Sequence, residues 1–225
     1  MSKNAKGILG QQVGKVGPVV GRLFRGEVIY SAYQPVVGNP KTNAQLLHRS
    51  KFSVLSALGH GFSCAVKLGL GRAVAGTKYS PRNMFAKLNK GQVSGAVPES
   101  IIVNYPELRV AMGSLCPVTF GAPEFDSPLH VEAEFTDGTV ECQKTPNDKV
   151  YLVVYCPDLK QAIVSTGVAR DAVTKKCSVA VPSTWNGIKV HVWGFVRNDG
   201  QLYEPMQIPS GECSGSVYVG TGNIG

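Results

Sequence analysis

Four histidines, six cysteines and a thin scatter of acids are the residues of this chain with chemistry to offer. His48, His60, His130 and His191 stand too far apart for paired metal ligation, and no HExxH helix motif occurs. His60 lies between Gly59 and Gly61, which exposes it and makes it the best-placed histidine for proton transfer. No serine sits in a GxSxG elbow. Glu132 and Glu134 alternate along one strand, on one face, where a pair of carboxylates either holds a cation or is solvated. Cys64 follows a basic helix, a setting that lowers a thiol pKa, but no base or orienting group accompanies it. The aromatic residues Trp185, Trp193, Tyr151, Tyr155, Tyr203 and Tyr218 are the raw material of a carbohydrate-stacking platform. No catalytic residue, metal ligand set or cofactor is assigned from these patterns.

Charge carries more information. Residues 1–90 hold 14 basic side chains and one acid, Glu27, for a net charge of +13. Residues 91–225 hold 9 basic and 14 acidic side chains, for −5. A basic third of this kind faces nucleic acid, or the acidic part of a neighbouring copy, or only solvent. Arg22, Arg25, Arg49, Lys51, Arg72 and Arg82 are the candidates for contact with a polyanion or an acidic partner.

The elements that must position these residues fall into three segments. Residues 1–38 are Gly-rich and read as an extended arm or hairpin, with Gly14, Gly17 and Gly21 setting its geometry. Residues 39–94 read as a small basic helical unit. Its first helix runs from about 43 to 58 and stops at Gly59 and Gly61; a second breaks at Gly69 and Gly71; a third starts at Ser80-Pro81 and ends at Gly91. Phe24, Tyr30, Phe52 and Phe62 sit in apolar surroundings and are expected in the core. Residues 95–225 alternate β-branched runs with turn residues. Strands are expected over 100–103, 107–112, 117–120, 129–135, 149–155, 162–168, 176–181, 188–197 and 213–219, with tight turns at Asp137-Gly138 and Asp199-Gly200. In 188–197 one face is expected to be core and the other a contact surface. The fold class that follows is α+β: arm, basic helical unit, then an antiparallel β-sandwich, immunoglobulin-like in general architecture but without its Cys-Trp-Cys spacing.

No apolar stretch reaches the 18 or so residues of a membrane span, and no secretory signal is visible, so membrane insertion is not expected. Free thiols, and a cytoplasmic or particle-assembled location, follow from the same reading.

The segments GILGQQVGKVGPVVGRLFRGEVIYSAYQP and NPKTNAQLLHRSKFSVLSAL add a resemblance. They are similar to the opening of an uncharacterised family widespread in Bacteroidota, with a Gly-rich G-K-V-G-x-V-V-G start and an Asn-Pro-x-Thr basic helix. The matching residues are Gly10, Gly14, Lys15, Val16, Gly17, Val19, Val20 and Gly21, then Asn39, Pro40, Thr42, Gln45, Arg49 and Phe52. DKVYLVVYCPD and the run to HVWGFVRNDG resemble that family's strand-rich half. Two positions depart from the pattern: Phe24 stands where the family has Trp, and the basic residue after the second glycine motif is displaced to Arg25. The resemblance implies an architecture and no activity; similar Asn-Pro-x-Thr helices occur in small phage structural proteins. Taken together, a non-enzymatic structural or assembly protein that forms homo-oligomers through arm and sandwich is expected. The alternative is non-specific association with nucleic acid through the basic N-terminal 90 residues.

Overall fold

The computed structural model describes residues 3–4, 12–24, 26–36, 38–39, 41–125, 129–137, 143–201 and 208–225. Arg25, Tyr203, Cys142, the turn residue Gly138 and the motif residues Gly10 and Pro40 lie outside them. The chain divides into two compact units, Met1–Thr42 and Asn43–Gly225.

The first unit is an antiparallel meander of β1 (Lys3–Asn4), β2 (Gln12–Val16), β3 (Val19–Phe24) and β4 (Glu27–Ala32), in that order. Glycine makes the turns. Gly17 opens the two-residue β2–β3 loop at φ 56°, ahead of Pro18, and Gly26 closes the β3–β4 loop at φ 85°. Gly21 pairs with Gly14 across the sheet. A Cβ on Gly21 would lie 2.1 Å from the Gln12 carbonyl oxygen and 3.2 Å from Tyr30 Cε1. The bare backbone therefore admits the Tyr30 ring, whose hydroxyl accepts from the Gln12 N–H at 3.2 Å.

The second unit opens with α1 (Asn43–Gly61), α2 (Ser63–Leu70) and α3 (Pro81–Asn89). Ser80 caps α3 by accepting from the Asn83 N–H at 3.2 Å, with Pro81 at the first helical position, as the sequence predicts. α1 does not stop at Gly59. A Cβ there would meet Phe85 Cδ1 at 3.3 Å, and one on Gly61 would meet the Lys160 carbonyl oxygen at 2.6 Å. α2 likewise continues through Gly69, where a Cβ would lie 2.6 Å from Ala111 Cβ. Gly59 and Gly69 are places of close packing rather than helix stops, whereas Gly61 ends α1 and Gly71 follows the end of α2, as expected. Among the described residues no single helix is long and apolar enough to cross a membrane. α1 and α2 pass that test only as a pair bent by 82°.

Beyond the helices come β5 (Val93–Ser94), β6 (Ile102–Val103), β7 (Val118–Phe120), β8 (His130–Asp137), β9 (Asp148–Cys156), β10 (Gln161–Val164), β11 (Val168–Ala169), β12 (Lys176–Ala180), β13 (Lys189–Asn198) and β14 (Val217–Asn223). The class is α+β, with N-terminal helices and a strand-rich region of several antiparallel sheets. The largest sheet has the order β10-β9-β13-β14, with β11 also on β9; a second is β12-β8-β7; β5 and β6 form a short pair.

The β9–β13 register puts Val192 opposite Val154 and Trp193 opposite Val153. Alternation then splits the two strands between two cores. Val150, Leu152, Val154, Val190, Val192 and Val196 share an apolar cluster with Val131, Ala133 and Phe135 of β8 and Cys177 and Val179 of β12. The other face, with Tyr151, Val153, Tyr155, Trp193 and Phe195, shares a cluster with Leu55, Phe62, Val66 and Phe85 of the helical segment. The expected contact surface on β13 is thus absent, because helices cover that face. In β8 the clean alternation holds: Val131, Ala133 and Phe135 are buried, while Glu134 points to solvent.

One strand expectation and one turn expectation fail. Residues 107–112 form no strand. The Arg109 N–H donates to Asn89 Oδ1 at 2.7 Å, the Val110 N–H to Ser216 Oγ at 3.0 Å and the Met112 N–H to the Gly69 carbonyl at 3.2 Å. Their backbone is satisfied by distant side chains and a carbonyl of α2 instead of a ladder. Nor does Asp199-Gly200 close a tight hairpin: Asn198 pairs by backbone bonds with Gly211 and Glu212, across a longer connection. Cys116 is disulfide-bonded, which corrects the all-thiol expectation at that position, while Cys64, Cys156, Cys177 and Cys213 are free.

Candidate functional site

α1 and α3 hold a groove of about 1660 Å³ between them. Each helix presents residues four apart: His48, Phe52, Ser56 and His60 on α1, and Arg82 and Ala86 on α3, a row that Lys90 continues just past the helix end. Gly59 lets α1 lie against Phe85 of α3, and Gly61 lets the end of α1 meet the β9–β10 turn. That turn carries Lys160, held at φ 53°, into the same groove.

Six cations line the groove: Arg49, Lys51, Arg82, Lys87, Lys90 and Lys160. No acid lines it among the described residues, and the sequence has no Asp or Glu between Glu27 and Glu99. The nearest acid in sequence to Lys160, Asp158, is exposed and outside the lining. Leu55 and Val93 form a floor that is 5% and 4% exposed, so little aliphatic surface is open. The large apolar side chains that stand open are aromatic, beside the small Ala57. Phe52 is 59% and Tyr79 45% exposed, and Lys87 Nζ lies 4.9 Å from the Tyr79 ring centroid.

Of the six predicted contact residues, the fold brings Arg49, Lys51 and Arg82 together here. Arg72 is exposed beyond α2 and outside the groove; Arg22 lies on β3 of the first unit; Arg25 is outside the described residues. Phe24, Tyr30 and Phe52, expected in the core, are all more than half exposed, and only Phe62 is buried. Lys87, Lys90, Tyr79 and Lys160 are not among the predicted contact residues. The i, i+4 spacing of Arg82, Ala86 and Lys90 is the signal that finds α3's side; nothing local finds Lys160. Of the arm residues, Gly14 and Gly17 have φ of 112° and 56°, and Gly21 is the close approach under Tyr30.

The remaining chemical candidates separate. His60 and His48 line the groove exposed, His130 is exposed at the start of β8, and His191 is buried. His191 stacks on Tyr105 at 4.3 Å, and its Nδ1 lies 2.9 Å from the Tyr218 hydroxyl. Burial, with Lys189 nearby, pushes its pKa down to about 4. Glu132 is engaged by Lys176 Nζ at 2.7 Å, and Glu124 by the same ammonium at 2.8 Å. That hydrogen bond holds Glu132 below the usual carboxylate range, so a lysine answers the charge for which a cation was considered. Burial pushes the Cys177 and Cys213 thiols up to about 12. Trp185 and Trp193 are fully buried and Tyr151 and Tyr155 nearly so, which takes these four out of the stacking platform read from sequence; Tyr218 is half-buried. No cluster of three or more His, Cys, Asp or Glu residues able to hold a metal ion occurs among the described residues.

Residues 10–204 match the model of a family of unknown function, DUF6266. The chain belongs to this family. The expected relationship to an uncharacterised family spanning most of the chain holds, and the matched DUF6266 region takes in both the arm strands β2–β4 and the whole groove. No curated protein matches the sequence.

Proposed function

We propose that this DUF6266 protein is a non-enzymatic structural or assembly protein that forms homo-oligomers, with its arm as the element that docks. One observation carries the reading. No apolar side chain of the first unit is buried among the described residues. Cross-strand register gives β2–β4 one face without charge: Gln12, Gly14 and Val16; Val19, Gly21 and Leu23; Val28, Tyr30 and Ala32. Val16, Val19, Leu23 and Tyr30 on it are 38–61% exposed. A small sheet of this kind lacks a core of its own and is stabilised by burying that face. A second copy of the chain is the occupant of this proposal, and the protein is then a building block of a larger particle, a virion included. The finer architecture belongs to the same reading: the β10-β9-β13-β14 and β12-β8-β7 sheets, which share one apolar cluster, form an immunoglobulin-like β-sandwich whose strand edges add contacts. So does the Bacteroidota character of the Gly-rich and Asn-Pro-x-Thr motifs.

The test is the mass of the intact protein by light scattering at about 0.1 and 1 M salt, for wild type and for Leu23→Asp combined with Tyr30→Asp. A salt-resistant oligomer that the double variant reduces to a monomer is expected. A wild-type monomer at both salts overturns the reading.

The second reading, association with nucleic acid through the basic N-terminal 90 residues, is favoured by a different observation: the acid-free cationic groove of α1 and α3. A ratio of absorbance at 260 to 280 nm that falls on washing at high salt tests it on the same samples.

A further inference from the structure

We propose that the groove between α1 and α3 is a site for single-stranded nucleic acid, with Phe52 and Tyr79 as stacking platforms and the surrounding cations as phosphate contacts. The inference rests on the second reading above and narrows it from polyanions in general to one ligand class.

Charge sets the sign of the occupant. Six cations and no acid line the groove among the described residues, and none of the three helices contains an Asp or Glu to balance them. Arg82 also sits in the first turn of α3, at the end of the helix dipole where a cation is disfavoured. Lys160 holds a left-handed backbone, φ 53°, that suits glycine better than lysine. Both residues are locally costly, and both point to the groove. An anion there offsets the repulsion among them.

Size and surface then narrow the class. The groove's 1660 Å³ exceeds the roughly 300–1,000 Å³ of ordinary small-molecule pockets, which suits a segment of polymer. Its aliphatic floor is already covered, so an acyl chain finds little surface. What stands open is aromatic and cationic, the pairing that binds bases by their π-faces and a backbone by its phosphates. A duplex hides those π-faces in its own stack and is met by a projecting helix rather than a concave wall.

The experiment is fluorescence anisotropy of the full chain with a labelled 12-nucleotide oligothymidylate, the same length of duplex, and heparin as competitor. Wild type is compared with Phe52→Ala, Arg82→Glu and Lys160→Gly, each checked for folding by thermal melt. Phe52 is exposed, and Lys160→Gly relieves its backbone, so these variants keep the fold. The oligothymidylate is expected to bind more tightly than the duplex. Phe52→Ala weakens it by roughly 5- to 100-fold, the worth of one stacked base, and leaves heparin unaffected. Arg82→Glu and Lys160→Gly weaken both ligands, and the slope of log K against log salt approaches about −4 when all six cations meet phosphates. Oligonucleotide binding that loses affinity in Arg82→Glu but not in Phe52→Ala overturns the single-strand inference and leaves the broader polyanion reading standing. No binding of any polyanion at about 50 mM salt overturns both.

Discussion

Two buried polar residues fix the behaviour of the second unit at the scale of single side chains. His191 is 8% exposed, stacked on Tyr105, beside Trp193 and hydrogen-bonded with Tyr218. Its pKa is pushed down to about 4, below the ordinary value of 6.5, so the native state resists a proton that the unfolded chain takes readily. Stability contributed by the neutral ring is complete above pH 6.5 and is lost as pH falls toward 4, on the order of 3 kcal/mol in all. Denaturant titrations at pH 7.5, 5.5 and 4.5 should show this fall in wild type. His191→Phe keeps the stack and should flatten the fall; equal pH slopes in the two proteins would contradict the assignment. Arg170 is the other case. It donates to Asp137 at 2.9 Å, to Asp148 at 3.3 Å and to the Cys116 carbonyl at 3.1 Å, while Thr145 satisfies Asp148 from its other side. Arg170 and Asp148 are 6% and 1% exposed. Removing one partner strands a buried charge, so Arg170→Ala should cost about 3–5 kcal/mol by chemical denaturation. A loss under 1 kcal/mol would mean that Asp148 reaches solvent without it.

Elements obey their local signals until a neighbour overrules them. The Ser80-Pro81 start of α3 and the alternation of β8 were legible because each answers to its own residues. β9 and β13 were legible as strands, but which of their faces met solvent was not, since sheets and helices from far along the chain cover both. The glycines misled in the same way. Gly59 and Gly69 read as stops, yet the helices run through them, packed against Phe85 and Ala111; only Gly61, against Lys160, ends α1 as read. The groove inherits this pattern. Its α1 and α3 cations follow from charge density and spacing, whereas Lys160 arrives from a hairpin about 100 residues away, and the exposure of Phe52 depends on where α3 lies. Two substitutions separate propensity from packing. Alanine gains roughly 1 kcal/mol over glycine in a helix interior. At Gly59 the new methyl meets a ring carbon at 3.3 Å, and the gain should about cancel the crowding. At Gly61 it meets a backbone oxygen at 2.6 Å, so Gly61→Ala should lower stability by about 1–3 kcal/mol. Thermal melts decide it; a Gly61→Ala protein that melts above wild type would mean that the β9–β10 turn moves away freely.

At the scale of the whole molecule the two units differ in what they bury. Every apolar side chain that is buried among the described residues belongs to Asn43–Gly225, the first being Leu55. The arm adds exposed apolar surface and backbone pairing within its own sheet, and the proposed oligomer is where that surface is covered. A chain beginning at Asn43 should therefore keep its cooperative unfolding and, at concentrations where the intact protein is monomeric, its denaturation midpoint. Its mass by light scattering should stay monomeric where the intact protein associates, and the excess thermal stability that association confers should vanish with the arm. Groove binding of a labelled oligothymidylate should survive the truncation, because every groove residue lies within 48–160. An arm-less chain that unfolds without cooperativity would instead assign the arm to the monomer's own core. One that folds and still oligomerises would move the contact onto the strand edges of the second unit.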